Sequence, residues 1–351
     1  MLVLAVSSLP YLAGYAAQGA SWRFTGFVFG VEDGNSYIAK MLAGAAGAWV
    51  FRSPYSAMPQ GGVVMYLPYL ILGKLAAPPG MHEELIALFH LFRIGAGLLA
   101  VRATYDFLAY FISDAGRRRW GLALAVLGGG LGWLLALLGR SAWPDLPLDF
   151  YSPETFGFLG IYGLPHLALA RAFLLWALLA YLKAAASLGE TRGLPWRAML
   201  KTGVLWLLAG LAQPLDAGVI GLVIGLHWLA RAVFKIKSRT GTSFNLRLVL
   251  LAAGAAVLPG LFLVYNLWAL AGDPYLKSWE AQNLVRSPGP LQYLLAYGLL
   301  LPFAWLGGRR LVARLPLAGW LPAAWCLALP LRVYAPLNLN RRLADGAWVA
   351  L

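Results

Sequence analysis

The sequence predicts an all-α fold, a polytopic transmembrane bundle of about eight to ten spans forming one domain over residues 1–351. Three observations predict it. The 351 residues are 60% hydrophobic and only 12% charged, with a mean hydropathy of +0.69. Soluble domains typically carry about a quarter charged residues, so a surface this apolar does not suit water. Apolar runs near the ~20 residues needed to cross the hydrocarbon core recur along the chain, and basic clusters fall between them. Backbone amides in lipid must bond internally, so such runs are helices. The ~10-residue alternating segments of a membrane β-barrel are absent from the sequence.

In chain order, the expected spans are 2–20, 85–112, 121–138, 157–183, 246–271, 291–308 and 316–334. Segment 2–20 has no basic residues before it, so it reads as a first span rather than a cleaved leader. Segment 63–77 is short and ends at Pro78-Pro79-Gly80, which leaves an oblique span or a re-entrant turn open. Segment 201–233 is interrupted by Gln213-Pro214-Leu215-Asp216 and reads as a hairpin of two short helices turning there. Gly128-Gly129-Gly130 is read as a close-packing run inside a membrane helix.

Charge sets the orientation. The formal charge is +14, from 28 Lys and Arg against 14 Asp and Glu. On a polytopic chain that excess reads as the positive-inside signature and an attraction to anionic lipid, not as a nucleic-acid surface. Arg117-Arg118-Arg119, the group Lys183/Arg192/Arg197/Lys201, the group Arg231/Lys235/Lys237/Arg239, and Arg309-Arg310/Arg314 are expected on the cytoplasmic side. Loops 21–62, 139–157, 272–290 and the tail from 335 are then external, and they hold most of the acids. Full crossing by 63–77 would upset this parity. A lone cysteine, Cys326, excludes an internal disulfide and a cysteine metal cage. No phosphate-binding Gly-x-x-x-x-Gly-Lys loop, His-Glu-x-x-His zinc motif or Gly-x-Ser-x-Gly elbow is present.

The first external loop carries the most chemistry. In Val31-Glu32-Asp33-Gly34-Asn35-Ser36-Tyr37-Ile38-Ala39-Lys40, two adjacent carboxylates, an amide, a hydroxyl, a phenol and an amine follow a span. Asp33, Asn35 and Ser36 are helix-starting residues, and 36–51 is expected to lie as a helix on the membrane. A carboxylate here can deprotonate an acceptor hydroxyl, and an adjacent pair can bind a divalent metal. On the residues alone, Asp33 equally reads as an N-cap, with Glu32 solvated. Elsewhere, Arg286 and the pair Arg341-Arg342 are candidates for a phosphate at the interface, with head-group snorkelling as the alternative. His166 lies near the outer end of a span, as ligand or as an interhelical contact. Asp216 marks either a site floor or a structural helix–helix contact.

An N-terminal span, an acid-led first loop with Tyr37, and Pro68-Tyr69 before a short second hydrophobic segment together resemble the GT-C-fold glycosyltransferases. The protein-O-mannosyltransferase-like and lipid-A-sugar-transferase-like branch is the nearest in look, with Glu32, Asp33 and Tyr37 at the positions of its Asp-Glu-x-x-Tyr motif. The order of the acids is reversed here. The resemblance implies a membrane enzyme moving a sugar from a polyprenyl-phosphate donor to an acceptor at the external face of a prokaryotic plasma membrane. It places the catalytic base at Asp33, supported by Glu32, within loop 21–62. Tyr37, Lys40, His166, Asp216, Arg286, Arg341 and Arg342 would then contact donor phosphate or substrate. Such enzymes continue beyond the layout seen here, so truncation at one or both ends is expected. The alternative is a non-enzymatic protein: a transporter or flippase of lipid-linked sugars, or a membrane scaffold. A transporter typically interrupts paired helices in two related halves, and only 201–233 is interrupted in this way.

Overall fold

The computed structural model describes residues 1–77, 81–140, 145–188, 193–234 and 246–351. The turn expected at Pro78-Pro79-Gly80 and the basic residues Arg192, Lys235, Lys237 and Arg239 lie outside the described residues. The described residues are helical throughout, apart from loops and one isolated bridge between Phe51 and Val63. In order the helices are α1 (Leu2–Ala17), α2 (Val31–Ala45), α3 (Leu67–Gly73), α4 (His82–Phe111), α5 (Ala115–Leu127), α6 (Gly132–Leu137), α7 (Leu148–Tyr151), α8 (Gly157–Gly163) and α9 (Pro165–Ser187). They continue as α10 (Trp196–Ala212), α11 (Pro214–Val233), α12 (Leu246–Gly272), α13 (Pro274–Gln282), α14 (Pro290–Tyr297), α15 (Leu301–Arg314), α16 (Trp320–Leu327) and α17 (Leu329–Val333). A 3-10 turn (Asn340–Ala344) and α18 (Ala347–Ala350) follow.

Four of these, α4, α9, α11 and α12, are individually long and apolar enough to cross a membrane. The pair α14 and α15, bent by 70°, makes a fifth if it is one span. Several long apolar helices thus fit a multi-pass membrane protein. The expected eight to ten long spans are not matched by as many long helices, because the chain breaks many of them. Segment 121–138 divides at the triglycine into α5 and α6, so that run is not helix interior as expected. Gly130 instead lets the chain pass close to α14, where an added Cβ would lie 2.6 Å from Ala296 Cα. Segment 157–183 breaks before Pro165, and 316–334 breaks at Ala328 before Pro330. Proline suits a first helical turn, where its missing N–H has no intrahelical partner to lose. It therefore marks where one helix stops and the next begins.

Side-chain contacts give the directions of the long helices. Arg93 of α4 bonds Ser7 and Ser8 of α1, and Tyr11 packs edge-on against His90, so α1 runs antiparallel to α4. Arg118 of α5 bonds Tyr105, while Val126 clusters with Ala96 and Ala100, so α5 runs back along α4. Trp176 of α9 donates to Asp106, and Leu167 clusters with Phe89, which makes α9 parallel to α4. In α10 and α11, Trp206 Nε1 donates to Ala217 O at 2.8 Å and Gly210 abuts Ala217. Gly221 also approaches the Trp206 ring, so residues before Gln213 meet residues after it and the two helices form a hairpin there.

These directions give the bundle two ends. Arg117 to Arg119, Lys183, Arg197, Lys201, Arg231 and Arg314 gather at one, beside the C-termini of α4, α9 and α11. At the other end lie α2, α3 and the 3-10 turn. α3 has seven residues, too few to cross the bundle. It lies against α2, where the backbones approach so closely that a Cβ on Gly44 would overlap Leu70 O and one on Gly73 would overlap Met41 O. α3 also packs on the start of α4 through Tyr69 and Phe89, so segment 63–77 stays at the same end of the bundle as α2.

Candidate functional site

The site is built on α2. Its N-cap is Gly30, held at φ +61°, a left-handed conformation that glycine adopts without strain. The helix therefore starts at Val31, earlier than the polar residues suggested, and Asp33 does not cap it. Glu32 and Asp33 both fall in its first turn, where the helix dipole favours negative charge. Consecutive helical side chains diverge by about 100°, so the two carboxylates do not face one another. Asp33 instead lines up with Tyr37, Lys40 and Gly44, one stripe at i, i+4, i+7 and i+11.

That stripe meets α3, α4 and α9. The Tyr37 ring stacks on Tyr69 with centroids 4.2 Å apart and planes 6° apart, and both rings sit edge-on to His166. The Tyr69 hydroxyl and His166 Nδ1 share a 2.8 Å hydrogen bond, and all three side chains are buried. Lys40 is also buried; its ammonium donates to Ser36 Oγ at 2.5 Å and lies 4.3 Å from the centre of the Tyr66 ring. Phe51 and Tyr37 complete an aromatic enclosure. Burial pulls the Lys40 amine down to about 8, partly offset by the negative charge of Asp33.

Asp33 is exposed in area, yet enough protein surrounds it that desolvation raises its pKa. Arg342 is the strongest cation opposing that rise, followed by Lys40, while Glu32 and Glu154 add to it. Arg342 Nε lies 3.6 Å from Glu154 Oε1, and its charge, with that of Lys40, reaches His166. Asp33, Tyr37, Lys40, His166 and Arg342 thus form one neighbourhood. Asp33 is its exposed acid, and the stacked Tyr37 and Tyr69 with His166 are its buried side.

The other expected residues lie elsewhere. Glu32 is exposed and acts on Asp33 only as a neighbouring charge. Arg341 turns away, with its guanidinium 4.7 Å from the centre of the Tyr151 ring. Arg286 is exposed on a segment that pairs with 338–341 through Val285 N–H to Asn338 O, Arg341 N–H to Val285 O and Ser287 N–H to Asn340 Oδ1. That strut fixes the backbone from which Arg341 and Arg342 project. Asp216 lies in a deeper cluster with Arg171, Arg332 and Asp345, all buried, where Arg171 and Asp345 pair at 2.6 Å. Glu154 touches both regions electrostatically. Sequence reasoning passed over Glu154 and Arg332. For Glu154 a signal existed in the polar run Ser152-Pro153-Glu154-Thr155 between two apolar segments. Among the described residues no group of three or more His, Cys, Asp or Glu side chains gathers as a metal cage.

An accessible carboxylate, an arginine from the far end of the chain and an imidazole with its Nε2 unpartnered among the described residues can together take a proton and neutralise an anion. Comparison with family models, with curated proteins and with solved structures finds no match to this chain.

Proposed function

We propose that the protein is a membrane glycosyltransferase of GT-C type, moving a sugar from a polyprenyl-phosphate donor to a hydroxyl acceptor at the bundle end that carries α2. The observation that carries this reading is an exposed carboxylate, Asp33, whose strongest neighbouring cation is Arg342 from the far end of the chain. In this reading Asp33 takes the acceptor's hydroxyl proton as its oxygen attacks the anomeric carbon, and the bond from that carbon to the phosphate oxygen breaks. The lipid phosphate leaves with the electron pair, stabilised by Arg342, and the anomeric configuration inverts. Glu154 orients Arg342. Tyr37 and Tyr69 present His166 to the donor, and Lys40 supports the ionised Asp33. A divalent metal at Asp33 would need phosphate oxygens of the donor to complete its shell, since one or two carboxylates plus phosphates are typical for Mg²⁺.

The same reading places the α2 end outside and the basic end in the cytoplasm of a prokaryotic cell. Under it, the shorter and broken helices α1, α5, α10 and α16 with α17 also cross, giving about nine passes. A flippase reading gains nothing from the α10–α11 hairpin, because that hairpin packs as a tight antiparallel pair around Trp206.

The test is sugar transfer in membranes supplied with polyprenyl-phosphate pentose or hexose donors. Asp33→Asn is expected to lower transfer by roughly 10²–10⁴-fold, the usual range for a lost general base. Glu32→Gln is expected to stay near wild type. Unchanged transfer by Asp33→Asn would sink the assignment.

A further inference from the structure

The basic end of the bundle carries a second feature, independent of the site around Asp33. α15 is bent 70° away from α14, and none of its residues is buried. A helix that leans out in this way leaves a gap against its neighbour. The gap is a recess of about 440 Å³ between the C-terminal ends of α4 and α15. That volume falls in the ~300–1,000 Å³ range of ordinary ligand pockets.

The lining divides by chemistry. Tyr110 and Phe111 of α4 face Leu311 of α15 as an apolar wall, and Arg310 and Arg314 supply two guanidiniums, with Ser113 at the α4 side. Arg310 and Arg314 are four residues apart, so they share one face of α15. Both are exposed, and neither has an acidic partner among the described residues. No carboxylate lines the recess. The nearby Arg118 is already engaged with the Ile112 and Ser113 carbonyls and Tyr105, so the charge on offer is that of the α15 pair. Gly307, one turn before Arg310, adds no side chain to the recess it lines.

We infer that this recess binds the head group of an anionic phospholipid from the leaflet at the basic end. The lipid phosphate would lie between Arg310 and Arg314, and the acyl chains along Leu311, Tyr110 and Phe111. Basic pockets between transmembrane helices on the cytoplasmic side favour such head groups, through charge at the rim and apolar packing below it. A zwitterionic lipid offers the same chains but a compensated head group. Free phosphate offers the charge but no chains.

Native mass spectrometry of the full chain in detergent tests this with phosphatidylglycerol and phosphatidylcholine of identical chains. Wild type is expected to retain phosphatidylglycerol preferentially. The double variant Arg310→Gln/Arg314→Gln is expected to lose that preference by roughly thirtyfold, or about 2 kcal/mol for two charges near a membrane surface. Retention of phosphatidylcholine should not change. Both side chains are exposed, so the variant's thermal unfolding should match wild type, and Arg102→Gln on the flank of α4 serves as a control that removes an exposed arginine outside the recess. Equal retention of the two lipids by wild type overturns the inference, as does an unchanged preference in the double variant. Displacement of phosphatidylglycerol by millimolar inorganic phosphate would assign the site to a free anion and overturn the lipid assignment.

Discussion

Two polar regions lie close together in this bundle and are built on opposite principles. Around α2, nearly every polar group is answered locally: Lys40 by Ser36 and three aromatic rings, His166 by Tyr69, Arg342 by Glu154. In the deeper cluster, Arg171 and Asp345 answer each other. Asp216 Oδ2, Asp345 Oδ2 and all three guanidinium nitrogens of Arg332 have no hydrogen-bond partner among the described residues. The deep cluster gathers two arginines and two aspartates around a single ion pair, Arg171–Asp345. The shallow region keeps an exposed acid that can exchange protons with solvent, whereas the deep one is closed to solvent.

That contrast breaks most sharply at Asp345. Asp345→Ala leaves Arg171 buried and unpaired, and it should cost about 3–5 kcal/mol in reversible unfolding, the usual penalty for stranding a buried charge. A loss below about 1 kcal/mol, the worth of an exposed pair, would mean that the deep pair is solvated after all. Next in size is Gly73→Ala, whose new Cβ would overlap Met41 O and force α2 from α3. Overpacking of this kind costs about 1–3 kcal/mol. It should also disturb the Tyr37–Tyr69 stack, which near-ultraviolet circular dichroism would register.

Tyr69→Phe is milder. It keeps the stack and removes one hydrogen bond to His166, for about 0.5–1.5 kcal/mol. The last effect is a slope rather than a loss. Lys40 titrates near 8 in the folded chain against 10.5 when unperturbed. Between those values the unfolded chain binds more protons, so stability rises with pH from about 8 to 10.5. Lys40→Met should flatten that rise in a pH series of thermal unfolding, and an unaltered slope would show that the amine is not desolvated.

Much of this was legible in the residues, and the exceptions follow a pattern. Asp33, Tyr37 and Lys40 were nominated by the sequence, but they line up as one stripe only because the helix starts at Val31 rather than near residue 36. The hairpin at Gln213-Pro214 was readable because proline starts helices. The triglycine misled, since glycine runs suit both close helix packing and helix ends, and only the neighbour across the gap decides which. For Glu32 and Asp33, adjacency in sequence suggests cooperation, whereas helical geometry turns neighbours apart.

The sequence by itself determined the helical character, the apolar runs and the segregation of basic residues to one end, because hydropathy and charge act along the chain without reference to partners. It also nominated Asp33, Tyr37, His166 and Arg342 as polar groups beside apolar runs. Only the tertiary structure decided that these four share a neighbourhood, that Glu154 joins Arg342 there, that Arg341 turns to Tyr151, and that Arg286 stands outside on its strut. The physical reason is the close approach of α2 to α3 at Gly44 and Gly73, together with the antiparallel return of the chain's end. These are contacts between distant segments that no local pattern encodes.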